Sequence, residues 1–194
     1  MSRAVAGAPA RSPLRLLVPL RSAMLGEMTA DDVVRVILAL DGADVRCWLA
    51  GGWGVDALFG RQARRHDDVD LVIDEFDRHL PAACAALQAL GMHVVAHERE
   101  PVLMPDRCLL EDDARHRVDL VSLDWPGLRS ALGAAGGLPE AKFESAFSVG
   151  LVGKREVPCL SLAAQLALHS GFVARPVDRH DIQLLKKGSP YGRL

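Results

Sequence analysis

The sequence has little with which to cross-link itself, enter a membrane or grip nucleic acid. It contains four cysteines in 194 residues, Cys47, Cys84, Cys108 and Cys159, separated by 37, 24 and 51 positions. No CxxC pair occurs, which excludes a zinc knuckle or redox dithiol of that kind. A chain of this length can bury roughly 70% of the surface it would expose unfolded, so it needs no disulfide framework. The thiols are therefore expected to be buried or half-buried in a reducing cytoplasm. No apolar run approaches the roughly 18–20 residues that span a bilayer, and no membrane association is expected. Excess positive charge is lacking too, with 23 Lys and Arg against 25 Asp and Glu, a net −2. A nucleic-acid binder normally shows a strongly basic face. A small-molecule substrate is the better expectation.

Acids are absent from the first 23 residues, which hold Arg3, Arg11, Arg15 and Arg21 and three prolines. Their apolar stretch, 14–20, is broken by Arg15 and Pro19 and is too short for a secretory core. We expect residues 1–27 to form a disordered extension, 28–188 the domain, and 189–194 a tail. Without those four arginines, 19 basic residues face 25 acids, a net −6.

From Met28 the element types alternate. Thr29 or Asp31 can cap a helix with apolar positions Val33, Val34, Ile37 and Leu38, ending at Asp41-Gly42. Val45 to Ala50 reads as a buried strand, after which Gly51-Gly52 turns the chain into a short helix, Trp53 to Phe59. Asp70 to Ile73 reads as the next strand, followed by an Ala-rich helix from about Asp74 to Leu90. Two more strands are expected at Met92 to Arg99 and Arg117 to Leu123, and one irregular helix over Gly127 to Phe147. A hairpin turning at Gly-Lys follows, then a helix capped by Ser161 and a last one capped by Asp178. The class is α+β, a mixed sheet flanked by helices with a small helical C-terminal segment.

The chemistry gathers in residues 50–73, AGGWGVDALFGRQARRHDDVDLVI. Asp68 and Asp70 are two apart on a strand, so both carboxylates share a face, with Cα atoms roughly 6.5 Å apart. Like charges so placed repel unless a cation sits between them, and hard oxygen ligands without cysteine partners point to Mg²⁺ or Mn²⁺. Asp119, in the apolar run VDLVSL, is costly to bury alone and is the candidate third ligand. Gly51-Gly52 leave backbone N–H groups open at a helix N-terminus where a phosphate can approach. Arg64 and His66 lie between glycines and acids. Phosphate cradle, metal carboxylates and a neutralising arginine are the parts that phosphoryl-group transfer requires.

Gly51-Gly52-Trp53, Asp56, Gly60, Arg64, His66, Asp68 and Asp70 together resemble the signature of the small-drug nucleotidyltransferases. Those are the aminoglycoside 2″-adenylyltransferases and lincosamide nucleotidyltransferases of the polymerase-β-like superfamily. HRVDLVSL around Asp119 resembles the family's third-carboxylate strand, and the segment from Gly150 to Leu185 its C-terminal part, with His169, Asp178 and Asp181 at matching positions. The resemblance implies a nucleotidyltransferase fold over roughly 28–188. It also implies a reaction in which ATP or another NTP gives its nucleoside monophosphate to a hydroxyl of a small molecule, releasing pyrophosphate. Asp68 and Asp70 would then hold the metal. Asp119 would either ligate it or act as general base, and Gly51, Gly52, Arg64 and His66 would bind the nucleotide. Trp53, Asp56, His169, Asp178 and Asp181 become supporting or acceptor-site residues.

Taken without the resemblance, Trp53 is core packing, Asp56 a partner for the loop or Arg64, His169 a core histidine and Asp178 an N-cap. Val177 stands where relatives often carry a basic residue, with Arg175 two positions earlier. Acids between Asp119 and the hairpin are few (Asp124, Glu140, Glu144), whereas a polycationic aminoglycoside would want them. The alternative is a nucleotidyltransferase-fold toxin or regulatory module acting on RNA or protein. An HD-type phosphohydrolase is disfavoured because DVDLVI reads as a strand. The sequence is also compatible with a homodimer.

Overall fold

The computed structural model describes residues 26–99, 103–134, 142–169 and 175–188. Most of the extension expected over 1–27 lies outside these ranges. The described residues do include Gly26 and Glu27, whose contacts are the Gly26 N–H to the Arg115 carbonyl and an ion pair from Glu27 to Arg65. The expected tail, 189–194, also lies outside.

Helix α1 (Ala30–Gly42) starts where Thr29 and Asp32 cap each other, the Asp32 N–H donating to Thr29 Oγ1 at 3.3 Å and the Thr29 N–H to Asp32 Oδ2 at 3.1 Å. Its buried residues Val33, Val36, Ile37 and Leu40 form one stripe. Strand β1 (Cys47–Leu49), α2 (Gly51–Phe59), β2 (Asp68–Ile73) and α3 (Phe76–Gln88) follow, then β3 (His93–Arg99), β4 (Asp106–Glu111) and β5 (Arg117–Val121). After α4 (Trp125–Ala134) come a 3₁₀ turn (Phe143–Ala146), the hairpin β6 (Phe147–Val152) and β7 (Arg155–Leu160), α5 (Leu162–His169) and α6 (Pro176–Lys186).

Seven strands form one mixed sheet in the order β3-β4-β5-β2-β1-β7-β6. Strand β2 runs parallel to β5 and antiparallel to β1, and β1 runs parallel to β7. Alternation gives the sheet two faces. Val69, Leu71 and Ile73 of β2, with Val118 and Leu120 of β5, enter the larger core with α1 and α3. Val72 and Val121 enter the smaller one with Leu128, Leu132, Ala164 and Leu168. The side chains two and four positions before Val72, and two before Val121, share this second face. They are Asp70, Asp68 and Asp119, so the acids stand where the second core gives way to solvent.

The expectations need four corrections. Strand β4 was not foreseen. The glycine pair is the first turn of α2 rather than a loop ahead of it. The expected irregular helix over Gly127 to Phe147 begins earlier, at Trp125, and a separate 3₁₀ turn precedes β6, with residues 135–141 outside the described ranges. Asp178 does not N-cap the last helix. Arg175 holds that position, and Asp178, three residues in, accepts the Arg175 N–H at 2.7 Å. Ser161 does cap α5, accepting the Ala164 N–H at 3.3 Å.

Candidate active site

A cleft of about 320 Å³ opens on the acid-bearing face. Asp68 and Asp70 lie on its floor, and parallel pairing sets Asp119 of β5 directly beside Asp70. Gly51 and Gly52 close one end. The lining on one wall comes from α5 and α6, with His169, Asp178 and Asp181, and on the other from β3 and β4, with Glu98 and Arg107.

Packing explains the glycines. Gly51 has φ +54°, and a Cβ there would collide with Asp70 Oδ2. A Cβ on Gly52 would strike the Arg64 guanidinium and the His66 ring. Both positions therefore need the smallest residue, and the cost is met by letting a carboxylate and an arginine abut the start of α2, whose first amides have no intrahelical partner.

Each lining arginine forks onto a lining carboxylate, the strong planar geometry of this pair. Arg64 donates from Nε and Nη2 to Asp181 at 3.1 and 2.8 Å. Arg175 donates from Nε and Nη2 to Asp178 at 2.9 and 3.0 Å. Arg107 donates from Nε and Nη2 to Asp119 at 3.0 and 2.6 Å. Asp68 and Asp70 have no such partner among the described residues. Burial, and then the neighbouring charges of Asp68 and Asp119, push the Asp70 carboxyl up to about 8. Burial also raises Asp119, with the Arg107 bonds opposing it, and burial lowers His169. The Arg175 hydrogen bonds hold Asp178 below the usual carboxylate range.

Three expected site residues face away from the cleft. His66, 2% exposed, turns its Nε2 to Asp56 Oδ2 at 2.6 Å, and the Trp53 ring lies 4.8 Å from the imidazole. These three back the glycine turn. Asp56 therefore bonds the loop before β2, as expected, through His66 rather than Arg64. His66, expected to bind the nucleotide, is not among the residues that line the cleft. Asp181, expected as a supporting or acceptor-site residue, lines the cleft and ties α6 to Arg64.

Arg107 is the cleft residue the sequence reading missed, along with Glu98, Met104, Pro105 and Gln165. The one signal was the alternation in Asp106-Arg107-Cys108-Leu109-Leu110-Glu111, which puts Cys108 and Leu110 in the larger core and turns Arg107 to the acid face.

For a divalent cation, the donor chemistry fits at Asp68 and Asp70, two unpaired hard-oxygen acids whose mutual repulsion a cation would relieve. Asp119 is adjacent, but both its oxygens accept from Arg107, and among the described residues no group of three His, Cys, Asp or Glu is placed to hold a metal ion. No helix among the described residues is long and apolar enough to cross a membrane.

A paired acid motif beside a glycine turn on a mixed sheet is the arrangement the sequence resemblance implied, and comparison with known proteins decides it. The family model for aminoglycoside-2''-adenylyltransferase matches residues 32–185. The chain belongs to that family. It is accordingly an enzyme of the nucleotidyltransferase class. A lincosamide resistance protein of Staphylococcus haemolyticus is 30% identical over 162 residues, covering 82% of this chain and 95% of that protein. The lincomycin-bound crystal structure of the lincosamide antibiotic adenylyltransferase LnuA superposes with a TM-score of 0.63 at 26% identity, over 82% of this chain and 98% of that one. ANT(2")-Ia in complex with adenylyl-2"-tobramycin, at 23% identity, shares the fold, with a TM-score of 0.57 over 81% of this chain and 87% of that one.

Proposed function

We propose that this enzyme transfers a nucleoside monophosphate, AMP from ATP, to a hydroxyl of a small molecule of the antibiotic classes that its relatives modify, and releases pyrophosphate. The observation that carries the reading is the pair Asp68 and Asp70, uncompensated on the floor of the cleft, with Gly51-Gly52 on one side and Asp119 on the other.

Strand order supports a division of the cleft. Moving across the sheet from β1 to β3, one meets the glycine turn, then Asp68 and Asp70, then Asp119, then Arg107 and Glu98. The triphosphate belongs at the glycine end, where backbone N–H groups are open. The acceptor belongs beyond Asp119. Magnesium or manganese held by Asp68 and Asp70 would supply charge neutralisation for the triphosphate. Asp119 receives the proton as the acceptor O–H bond breaks. The freed oxygen bonds to the α-phosphorus, and the bond from that phosphorus to the bridging oxygen breaks, with pyrophosphate as leaving group. Arg64, tied to Asp181, adds positive charge beside the glycines.

Pyrophosphate release tests this, with each NTP and Mg²⁺ against aminoglycosides, lincosamides and simple polyols. Acceptor-dependent release is expected, at least about 1,000-fold reduced in Asp70→Asn, a loss of about 4 kcal/mol in transition-state stabilisation. Release equal in wild type and Asp70→Asn would overturn the assignment.

A further inference from the structure

We propose that Arg107 sets the charge of the acceptor that this enzyme admits, selecting molecules with at most one positive charge; the inference rests on the transferase reading above. Arg107 stands on β4, one strand beyond Asp119, and its side chain is 42% exposed toward the cleft. Nε and Nη2 take both oxygens of Asp119, at 3.0 and 2.6 Å, and Nη1 reaches Glu98 at 3.4 Å. The two acids on the acceptor side are therefore already paired, and by one guanidinium that belongs to the protein. A bidentate arginine is a firm occupant of such a place.

Among the described residues, no other lining acid is spare for an ammonium group. Asp178 and Asp181 are forked by Arg175 and Arg64, and Asp68 and Asp70 serve the triphosphate's cation. A polycationic acceptor would meet a fixed positive charge and, among the described residues, no unspent carboxylate. A neutral or singly charged acceptor is not repelled, and it finds the apolar surfaces of Met104, Pro105, Val121 and Leu168.

The test titrates the full chain, with Mg²⁺ and α,β-methylene-ATP, with lincomycin (one amine) and with tobramycin (several), by calorimetry. Wild type should bind lincomycin at least tenfold more tightly. Arg107→Gln should close that gap at least tenfold by tightening tobramycin, while Arg107→Lys, which keeps the charge, should retain it. Should Arg107→Gln not melt cooperatively, Arg107→Gln/Asp119→Asn removes the stranded charge and should still narrow the gap at least threefold. Equal or tighter tobramycin binding by wild type, no lincomycin binding, or an unchanged gap in a folded variant would overturn the proposal. Acceptor-dependent pyrophosphate release with an unchanged gap sinks this inference alone. A gap that behaves as expected without release from either acceptor sinks the transferase reading alone.

Discussion

Gly51 shows how much a single hydrogen side chain can decide. Its left-handed φ and its contact with the Asp70 carboxylate are two separate reasons for glycine, and alanine would offend both. Gly51→Ala should reduce pyrophosphate release at least about 100-fold, equivalent to about 2.7 kcal/mol, because the Asp70 carboxylate must move. Gly42, at the end of α1, has nothing within 4 Å of a would-be Cβ, and Gly42→Ala should leave activity unchanged. Equal activities in the two variants would show that the Gly51 contact does not matter. At this scale the sequence was informative where chemistry is unusual. Two acids in a strand, a third acid in an apolar run and a glycine pair are all improbable unless something needs them. His66 shows the limit, since its position in the motif was legible and its direction was not. A buried imidazole takes its orientation from whichever partner folding supplies, here Asp56 from ten residues earlier.

At the scale of elements, the legible parts were those with a clean period. The α1 stripe, the β2 alternation and the β6-β7 hairpin each follow from local pattern. Strand β4 escaped because Pro101 and Pro105 precede it and charges occupy both its ends, which reads as a linker. Its partners, β3 and β5, are what make it a strand. Missing β4 meant missing Arg107. The last helix was placed correctly but its start was not, because the Arg175-Asp178 pair competes with the ordinary cap. Element docking also depends on Arg64-Asp181, which ties the loop before β2 to α6, with Asp181 2% exposed. Removing one partner strands the other charge in a poorly solvated place. A double-mutant cycle of Arg64→Ala and Asp181→Ala, followed by urea denaturation, should give a coupling of at least about 1.5 kcal/mol. The same cycle on Arg46 and Asp74, where the arginine is 74% exposed, should give less than about 0.5 kcal/mol. Similar couplings would mean that α6 does not depend on the buried pair.

For the whole molecule, the sheet fixes the site by adjacency. Parallel pairing of β2 with β5 puts Asp70 beside Asp119, and like charges so placed cost stability in the free protein. That cost has a definite pH dependence. The folded Asp70 carboxyl titrates near 8, far above its ordinary value of 3.8, so between those limits the folded chain holds a proton there that the unfolded chain has lost. Stability from this group therefore falls as pH rises from about 4 to about 8, and is level above. Other groups tilt the opposite way. His169, lowered by burial, costs stability as pH falls below its ordinary 6.5, and Asp32, Asp112 and Asp178, held low by hydrogen bonds, lose theirs only in acid. The comparison that isolates Asp70 is wild type against Asp70→Asn, each melted in EDTA. The Asn variant should be the more stable at pH 8, by at least about 3 °C, the shift expected for about 1 kcal/mol at this size. The gap should close toward pH 5, where wild-type Asp70 is protonated. Adding Mg²⁺ at pH 8 should raise the melting temperature of wild type and leave that of Asp70→Asn little changed. A gap independent of pH would show that Asp70 carries no strain from its neighbours, and the argument that these acids are placed for a cation would lose its energetic basis.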